Sequence, residues 1–399
     1  MDVETKELKV PRQASQAMRL FEIPLAWIVA FLVISFRAPF DRLALKPGNW
    51  AGWDTSNYLG ISTGARSFGH CGAFLIPNIP ENLPTTAWCG TAVWLPGYPF
   101  AIHVLSLIGV PSDWAALAVA WSCILGVLAA AWFGWTRTLS PSRSIAVLVL
   151  LALFPGAIYS FALFPMSMAL FGIVAAMLCV IRRRFVLASL AMFVAVLSYP
   201  SAAFAVVGLV IAMLIHVRNT GRIEFIKHAL CGIGGLAGLG VLALNDQLAY
   251  GHWNAYLLIQ GENDKNFGGL PGSQIFHAIV DRNTVQQMMV GHRGGQIIAA
   301  QVLLEIVLVG AAFIVGVAAW RRHGRSPLDL YPAVIGISVF LGLAITGPHP
   351  SNWTRGIVLA APSVLALRRV PRNVLIAILM ATALLALLLS KYFFNTKLA

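Results

Sequence analysis

The stretch NWAGWDTSNYLGIST, from Asn49 to Thr63, places a carboxylate among aromatic residues just after the first long apolar run. Asp54 directly follows Trp53 and precedes Tyr58 by four residues. Two interpretations fit the residues alone. Asp is a preferred residue at the N-cap position of a helix, and apolar residues at helical spacing follow Asp54. It is equally a candidate general base, because aromatic neighbours partly desolvate a carboxylate and raise its basicity.

The composition of the whole chain indicates a protein that faces lipid. Of its 399 residues, 58% are hydrophobic and only 11% are charged, whereas soluble domains carry roughly 25% charged residues. We therefore expect an integral membrane protein. The metal-binding patterns CxxC, HExxH and DxD are absent from the sequence, so we predict neither a metal nor another cofactor.

The net charge of +13 does not indicate a nucleic-acid-binding surface. The cations lie in short clusters between apolar runs, which is the pattern of cytoplasmic loops under the positive-inside rule. We predict no nucleic-acid partner and a cytoplasmic N-terminus. The clusters are Arg137 and Arg143; Arg182, Arg183 and Arg184; Arg218, Arg222 and Lys227; Arg321, Arg322 and Arg325; Arg368, Arg369 and Arg372.

The apolar runs predict an all-α polytopic bundle of about eleven transmembrane helices, since a span needs about 20 apolar residues. The segment 95–110 is interpreted as an interfacial or re-entrant helix on the outer face, because a span there would move every later arginine cluster outside. The predicted spans are 20–37, 114–136, 144–163, 166–181, 185–199, 201–217, 229–248, 297–320, 328–346, 356–367 and 373–390.

This topology makes residues 1–399 one transmembrane domain with a cytoplasmic tail at 1–19. Three outer loops follow, at 38–113, 249–296 and 347–355, and we expect them to carry short interfacial helices. Cys71 and Cys89 share the first loop, where an oxidising compartment would allow them to form a disulfide bond.

The segment WDTSNYLGIS resembles the W-D-x-x-x-Y-x-x-I-A signature that follows the first span of GT-C glycosyltransferases, and it is most similar to the PIG-V-type mannosyltransferases and their bacterial homologues. Four later segments resemble further motifs of these enzymes in the same order. They are WLPGYPFAIHVLSLIGVPS, FPGAIYSFALFPMSMALF, YGHWNAYLLIQ and PSNWTRGIVLAAPSVLAL.

The resemblance implies a GT-C-like bundle whose catalytic motif lies in the first outer loop, on the outer face of a bacterial plasma membrane. It implies that a sugar, mannose in this family, is transferred with inversion from a polyprenyl-phosphate-linked donor. The acceptor would be a glycolipid or a glycan, and membrane lipids would surround the site. Asp54 would be the general base, with no metal. Two positions depart from the family: Met166 replaces a frequent Glu, and SYPSA at 198–202 replaces R-P-x-G. Both leave the donor and the acceptor open.

Arg355 and His349 are the candidates for holding the donor phosphate. Arg355 matches an arginine of the family motif, and its planar fork suits phosphate. An arginine at membrane depth is costly and is usually functional, although a snorkelling anchor would look the same. His349 lies between two prolines, where it would donate to the phosphate or the sugar; an ordinary loop histidine is the alternative.

The candidate substrate contacts are aromatic and amide side chains, because rings cover the apolar face of a sugar and amides bind its hydroxyls. An aromatic belt at the membrane surface gives the same composition without any such function. These candidates are Trp53, Tyr58, Tyr256, Gln260 and Trp353.

Two other classes of function stay open at this point. A transporter or flippase of a lipid or glycan is compatible with many spans and with Glu305 inside one of them. Against it, the polar residues concentrate in the outer loops, and no inverted repeat is visible. A non-catalytic assembly subunit would also fit the departures at Met166 and 198–202.

Overall fold

A computed structural model describes residues 19–36, 46–52, 54–71, 86–218, 222–263, 292–323, 325–346 and 350–394. Its α-helices are Glu22–Ser35, Thr55–Ser62, Gly97–Leu107, Ser112–Ala131, Pro141–Ala152, Ile158–Phe161, Met166–Ile181, Phe185–Ser198, Ala202–Val217, Arg222–Cys231, Ile233–Tyr250, Ala255–Asn263, His292–Arg322, Pro327–Thr346, Pro350–Gly356 and Arg372–Phe394. The 3-10 segments are Arg19–Phe21, Pro47–Trp50, Thr91–Val93 and Ile357–Arg369, and Trp132–Thr136 is a π-helix.

Within the described residues, five helices are long and apolar enough to cross a membrane. Shorter apolar helices pack among them, so the chain is an integral membrane protein, although the predicted count of eleven spans is not confirmed. The five are Ser112–Thr136, Arg222–Tyr250, Ala300–Arg322, Pro327–Thr346 and Arg372–Lys391.

The outer surface of the bundle carries large apolar side chains. Val186 is 83% exposed, and Phe36 and Ile314 are each 69% exposed. Soluble proteins rarely expose so much apolar surface, whereas a bilayer is its natural solvent. These side chains therefore face lipid.

Small residues allow the helices to approach closely inside the bundle. A side chain at Gly172 would lie 2.7 Å from the Ala191 carbonyl oxygen, and one at Gly336 would lie 2.4 Å from the side chain of Ser363. Van der Waals packing of this kind drives helix association in lipid, where a hydrophobic driving force between helices is missing.

The predicted span 144–163 is not one continuous helix, which corrects the prediction from its apolar run. The helix Pro141–Ala152 ends, the chain turns, and a single helical turn follows at Ile158–Phe161. Pro155 cannot continue the hydrogen-bond ladder, and Gly156 adopts a φ of +83° that favours glycine. An irregular segment therefore begins in the middle of the apolar run.

The predicted span 356–367 also differs from the expectation. This stretch is a 3-10 helix, Ile357–Arg369, that is buried from Ile357 to Arg368. It forms part of the protein interior and presents no lipid-facing stripe. Apolar composition alone cannot separate a lipid-exposed span from a central core segment.

The segment predicted as the first outer loop contains a two-stranded antiparallel hairpin, a feature that the sequence patterns did not predict. Strand Phe68–His70 pairs with strand Trp88–Gly90, and a disulfide bond joins Cys71 to Cys89 beside it. The helix Ala255–Asn263 of the second loop packs on this hairpin through a small apolar cluster formed by Ala92, Ala255 and Ile259. The hairpin, the segment Thr91–Val93 and the helix Ala255–Asn263 thus form one lobe.

A buried ionic cluster ties the far end of the 3-10 segment to the bundle. The carboxylate of Asp329 is fully buried and accepts hydrogen bonds from Arg368 at 2.5 Å and from Arg369 at 3.0 Å. Arg368 also donates to the carbonyl oxygens of Leu328 and Leu365. The buried carboxylate is therefore paired and hydrogen-bonded, as burial requires.

We predict that Asp329→Asn destabilises the fold by about 3 kcal/mol, since removing one partner leaves buried arginine charge uncompensated. Thermal unfolding in detergent measures the loss. The exposed pair of Lys227 and Glu224 provides the control, because Glu224→Gln should leave the unfolding temperature unchanged. Equal unfolding temperatures for Asp329→Asn and wild type would contradict the structural role of the cluster.

Candidate functional site

The structure brings Asp54 and Arg355 into contact although 301 residues separate them in the chain. The Nη1 group of Arg355 donates to the carboxylate of Asp54. Their side chains are 17% and 10% exposed, so the ion pair lies at the edge of the interior. Asp54 is the N-cap residue of Thr55–Ser62, yet its side chain makes no capping hydrogen bond. Its carboxylate is directed to the arginine instead.

The backbone before Asp54 is held against the irregular segment that interrupts the predicted span. The N–H of Gly52 donates to the hydroxyl of Thr55 at 2.9 Å, and the carbonyl of Trp50 accepts the N–H of Leu163 at 3.0 Å. Gly52 has no side chain, and a Cβ at this position would lie 2.9 Å from the ring of Phe164. Only glycine allows this close approach without displacing the ring.

The same irregular segment holds Arg355. The guanidinium carbon lies 5.6 Å from the centre of the Tyr159 ring and 5.5 Å from that of Phe164, which are favourable cation–π distances. A side chain at Gly156 would lie 2.4 Å from the carbonyl oxygen of Thr354, so this glycine lets the segment touch the backbone next to Arg355. The break in the predicted span thus provides the scaffold for both charged residues.

Arg355 is a buried cation that depends on its carboxylate partner. Burial is the largest single effect and lowers the pKa of Arg355, but the negative charge of Asp54, together with Tyr159, Tyr199 and Tyr58, raises that pKa above its ordinary value. The Nε group of Arg355 is buried and has no hydrogen-bond partner among the described residues. The guanidinium is therefore charged and not fully satisfied.

Tyr58 lies behind Asp54, in the interior. It is 4% exposed, and its ring makes edge contacts with Tyr98 at 5.6 Å and Phe164 at 6.5 Å. Burial, followed by the charge of Asp54, raises the pKa of Tyr58 well above its ordinary value. Tyr58 is therefore a neutral phenol and cannot act as a base. The predicted sugar contact of Tyr58 is also not favoured, because little of the side chain reaches the surface.

Trp353, another predicted sugar contact, has an internal partner instead. It is 3% exposed, and its indole N–H donates to the carboxylate of Glu305 at 2.9 Å. Gln301 donates a second hydrogen bond to Glu305 at 2.7 Å. Trp353 therefore packs inside the bundle, and its contact with a sugar stays a prediction. Glu305 faces the bundle interior and accepts hydrogen bonds from Gln301 and Trp353.

Tyr256 and Gln260 lie on the helix Ala255–Asn263 and are partly exposed. The backbone N–H of Tyr256 donates to Asp246 at 3.0 Å. Their helix belongs to the apolar cluster beside the hairpin, which is separate from the core cluster that contains Tyr58 and Trp353. These two predicted contacts therefore belong to the lobe that contains the hairpin.

Two predicted site residues, Trp53 and His349, lie outside the described residues, and their roles stay predictions. Sequence reasoning missed Tyr159 and Phe164. The signal that could have found them is the Pro-Gly pair within an apolar run, because broken membrane helices often line binding sites. It also missed Tyr199, which contributes to the raised pKa of both Tyr58 and Arg355.

The site combines a carboxylate with a guanidinium on an aromatic support at the edge of the bundle. A carboxylate can take a proton, and a guanidinium can hold an anion. Among the described residues, no group of three or more His, Cys, Asp or Glu side chains could hold a metal ion.

No protein-family profile matches the sequence, and no curated protein matches it. The fold does have solved counterparts. ArnT from Cupriavidus metallidurans, bound to undecaprenyl phosphate, superimposes with a TM-score of 0.53 at 14% identity over 90% of this chain and 61% of its own. AglB from Archaeoglobus fulgidus, in complex with an inhibitory peptide and a dolichol-phosphate, gives 0.55 at 10% identity over 96% of this chain and 56% of its own.

The apo form of the Archaeoglobus fulgidus oligosaccharyltransferase gives a TM-score of 0.54 at 12% identity, over 97% of this chain and 56% of that chain. The chain therefore spans less than two thirds of the length of these proteins. Identities this low establish the fold alone. The predicted GT-C-like bundle is confirmed, whereas the similarity to PIG-V-type enzymes stays a prediction.

We predict that Tyr58→Phe reduces the loss of stability at alkaline pH. The folded state raises the pKa of Tyr58. The stability that its neutral phenol contributes is therefore fully present below the pKa of the unfolded chain, which is about 10. That stability is lost as the pH rises toward the pKa of Tyr58 in the folded state, because the unfolded chain releases the phenol proton first. Unfolding temperatures between about pH 8 and pH 11 test this. Identical pH dependence in variant and wild type would contradict a buried neutral phenol.

Proposed function

We propose that the protein is an inverting glycosyltransferase that moves a sugar from a polyprenyl-phosphate-linked donor to a glycolipid or glycan acceptor. The sugar is mannose by sequence resemblance, and the site faces the outer side of a bacterial plasma membrane. The observation that carries the proposal is the contact between Asp54 and Arg355. The donor class is supported by the fold counterparts, since the ArnT structure holds undecaprenyl phosphate and the AglB structure holds a dolichol-phosphate.

The reaction forms a bond between the acceptor oxygen and the anomeric carbon and breaks the bond between that carbon and the phosphate oxygen. Asp54 takes the proton of the acceptor hydroxyl as the new bond forms. The electron pair of the broken bond leaves with the lipid phosphate, and Arg355 stabilises the resulting charge. Attack from the side opposite the phosphate inverts the anomeric carbon. A phosphate leaves as an anion, so the step requires no strong acid.

The ion pair implies an order of binding. While Arg355 donates to the carboxylate of Asp54, the bonded oxygen is not available to an acceptor hydroxyl. A donor phosphate carries the same kind of anionic oxygen and competes for the same guanidinium. When the phosphate binds Arg355, Asp54 is released toward the acceptor. The donor therefore binds first, and its arrival activates the base.

The aromatic support keeps the guanidinium in place during this exchange. Tyr159 and Phe164 contact the cation through their rings, and these contacts do not depend on which anion Arg355 holds. The neutral phenol of Tyr58 behind Asp54 places no second negative charge beside the carboxylate. Only the anion bound to Arg355 needs to change.

We predict that Asp54→Asn lowers sugar transfer by about a hundredfold or more, which is the usual contribution of a general base. The amide keeps an oxygen that accepts from Arg355 but cannot take the hydroxyl proton. Transfer is measured with purified protein, radiolabelled polyprenyl-phosphate-mannose and a membrane lipid extract. Asp113→Asn is the matched control. It makes the same change at a carboxylate that accepts the N–H of its neighbour Trp114 and takes no part in the proposed reaction. Unchanged transfer by Asp54→Asn would rule out Asp54 as the base.

We predict that Arg355→Lys raises the donor KM by about tenfold, because lysine keeps the charge and loses the planar fork. Arg355→Ala should abolish transfer, since it removes the phosphate partner and leaves Asp54 without its cation. Initial rates at varied donor and acceptor concentrations separate the two substrates. An increase confined to the acceptor KM would contradict phosphate binding by Arg355.

The same assay with a panel of polyprenyl-phosphate sugars identifies the sugar. Transfer from one donor of the panel, lost in Asp54→Asn, supports the proposal. Folded wild-type protein that transfers no sugar from any donor of the panel would overturn it.

A further inference from the structure

Glu305 is a buried acid that the proposed mechanism does not use. It is fully buried in the apolar helix Ala300–Arg322. Its two carboxylate oxygens accept hydrogen bonds from Gln301 at 2.7 Å and from Trp353 at 2.9 Å. An ionisable side chain at membrane depth is costly and usually serves a function. Leucine or methionine would fill the same position without that cost.

The contact with Trp353 leads directly to the proposed phosphate site. Trp353 and Arg355 lie on the same helix, Pro350–Gly356, which has seven residues. A helix of this length is not stable by itself, so its tertiary contacts fix its position. Side chains two positions apart on a helix point roughly 200° apart. Glu305 therefore holds one face of the helix, and the opposite face presents Arg355 to Asp54.

The same network also touches the segment that supports the guanidinium. A side chain at Gly156 would lie 3.5 Å from the amide nitrogen of Gln301, in addition to its contact with the Thr354 carbonyl. Gly156 begins the turn that leads to Tyr159 and Phe164. Glu305 thus contacts the helix of Arg355 through Trp353, and its partner Gln301 lies beside Gly156 of the segment that carries the aromatic residues.

We propose that Glu305 is a positioning residue for Arg355: by accepting the indole N–H of Trp353, it fixes the helix that presents the guanidinium to the donor phosphate. This role rests on the proposed function, since it concerns the affinity of that site for a lipid phosphate. Glu305 itself touches no substrate. Its loss weakens donor binding and leaves acceptor binding unchanged.

Asp329 provides a matched control for a purely structural effect. It is also a fully buried carboxylate, on the helix Pro327–Thr346, and it anchors the opposite end of the 3-10 segment through Arg368 and Arg369. Removing either acid reduces stability. Only the removal of Glu305 changes the affinity for a lipid phosphate.

The test compares Glu305→Ala, Glu305→Gln, Trp353→Phe and Asp329→Asn in the full chain. Equilibrium binding of radiolabelled polyprenyl phosphate, without acceptor, is measured together with donor KM, acceptor KM and thermal unfolding. Glu305→Ala and Trp353→Phe should each weaken phosphate binding by about tenfold, because each removes a buried hydrogen bond and leaves its partner unsatisfied. The acceptor KM should not change.

Glu305→Gln is the conservative variant. Its amide oxygen still accepts from Trp353. A flip of the Gln301 amide turns Oε1, which is buried without a partner among the described residues, toward the new amide nitrogen, which can then donate to it. Binding should therefore stay within about twofold of wild type. Asp329→Asn should unfold at a lower temperature and bind polyprenyl phosphate with wild-type affinity.

The outcomes separate the positioning role from the function on which it rests. If wild type binds polyprenyl phosphate and Glu305→Ala binds it equally well, the positioning role is overturned and the proposed function stands. The role is also overturned if Asp329→Asn weakens binding as much as Glu305→Ala, or if Glu305→Gln fails to restore it. A folded wild type that neither binds polyprenyl phosphate nor transfers sugar contradicts the proposed function itself.

Discussion

The ion pair of Asp54 and Arg355 is the constraint on which the rest of the site depends. Two charges at the edge of a low-dielectric interior require each other, because either one alone would be left uncompensated. The pair joins the N-terminal end of the helix Thr55–Ser62 to the short helix Pro350–Gly356, 301 residues further along the chain. It also couples the group that would take a proton to the group that would hold a phosphate. Binding at one residue therefore changes the state of the other.

The interrupted apolar run between Ala152 and Met166 explains how this pair is supported. Irregular backbone at membrane depth is tolerated only where protein buries it or where it lines a cavity. Here the irregular segment packs against the backbone before Asp54 and supplies the Tyr159 and Phe164 rings beside Arg355. A continuous helix would have carried these residues around its axis and away from one another. The departure from a regular span is thus the feature that assembles the site.

Sequence reasoning predicted the parts better than their arrangement. Apolar runs predicted the helical bundle, and residue type with family resemblance selected Asp54 and Arg355, which the predicted topology placed on the same side of the membrane. Their direct contact was not predictable, because a single sequence carries no record of which distant residues pair. The role of Trp353 depends on the hydrogen-bond partner of its indole N–H, and only the structure identifies Glu305 as that partner. The hairpin was missed because strands of three residues leave no usable periodicity.

An experimental structure with polyprenyl phosphate bound tests the central claim most directly. The phosphate should contact the guanidinium of Arg355, and the carboxylate of Asp54 should be separated from it and open to the outer surface. Tyr159 and Phe164 should keep their contacts with the cation. A phosphate bound elsewhere, with the Asp54–Arg355 contact intact, would contradict the exchange of anions on which the proposed mechanism rests.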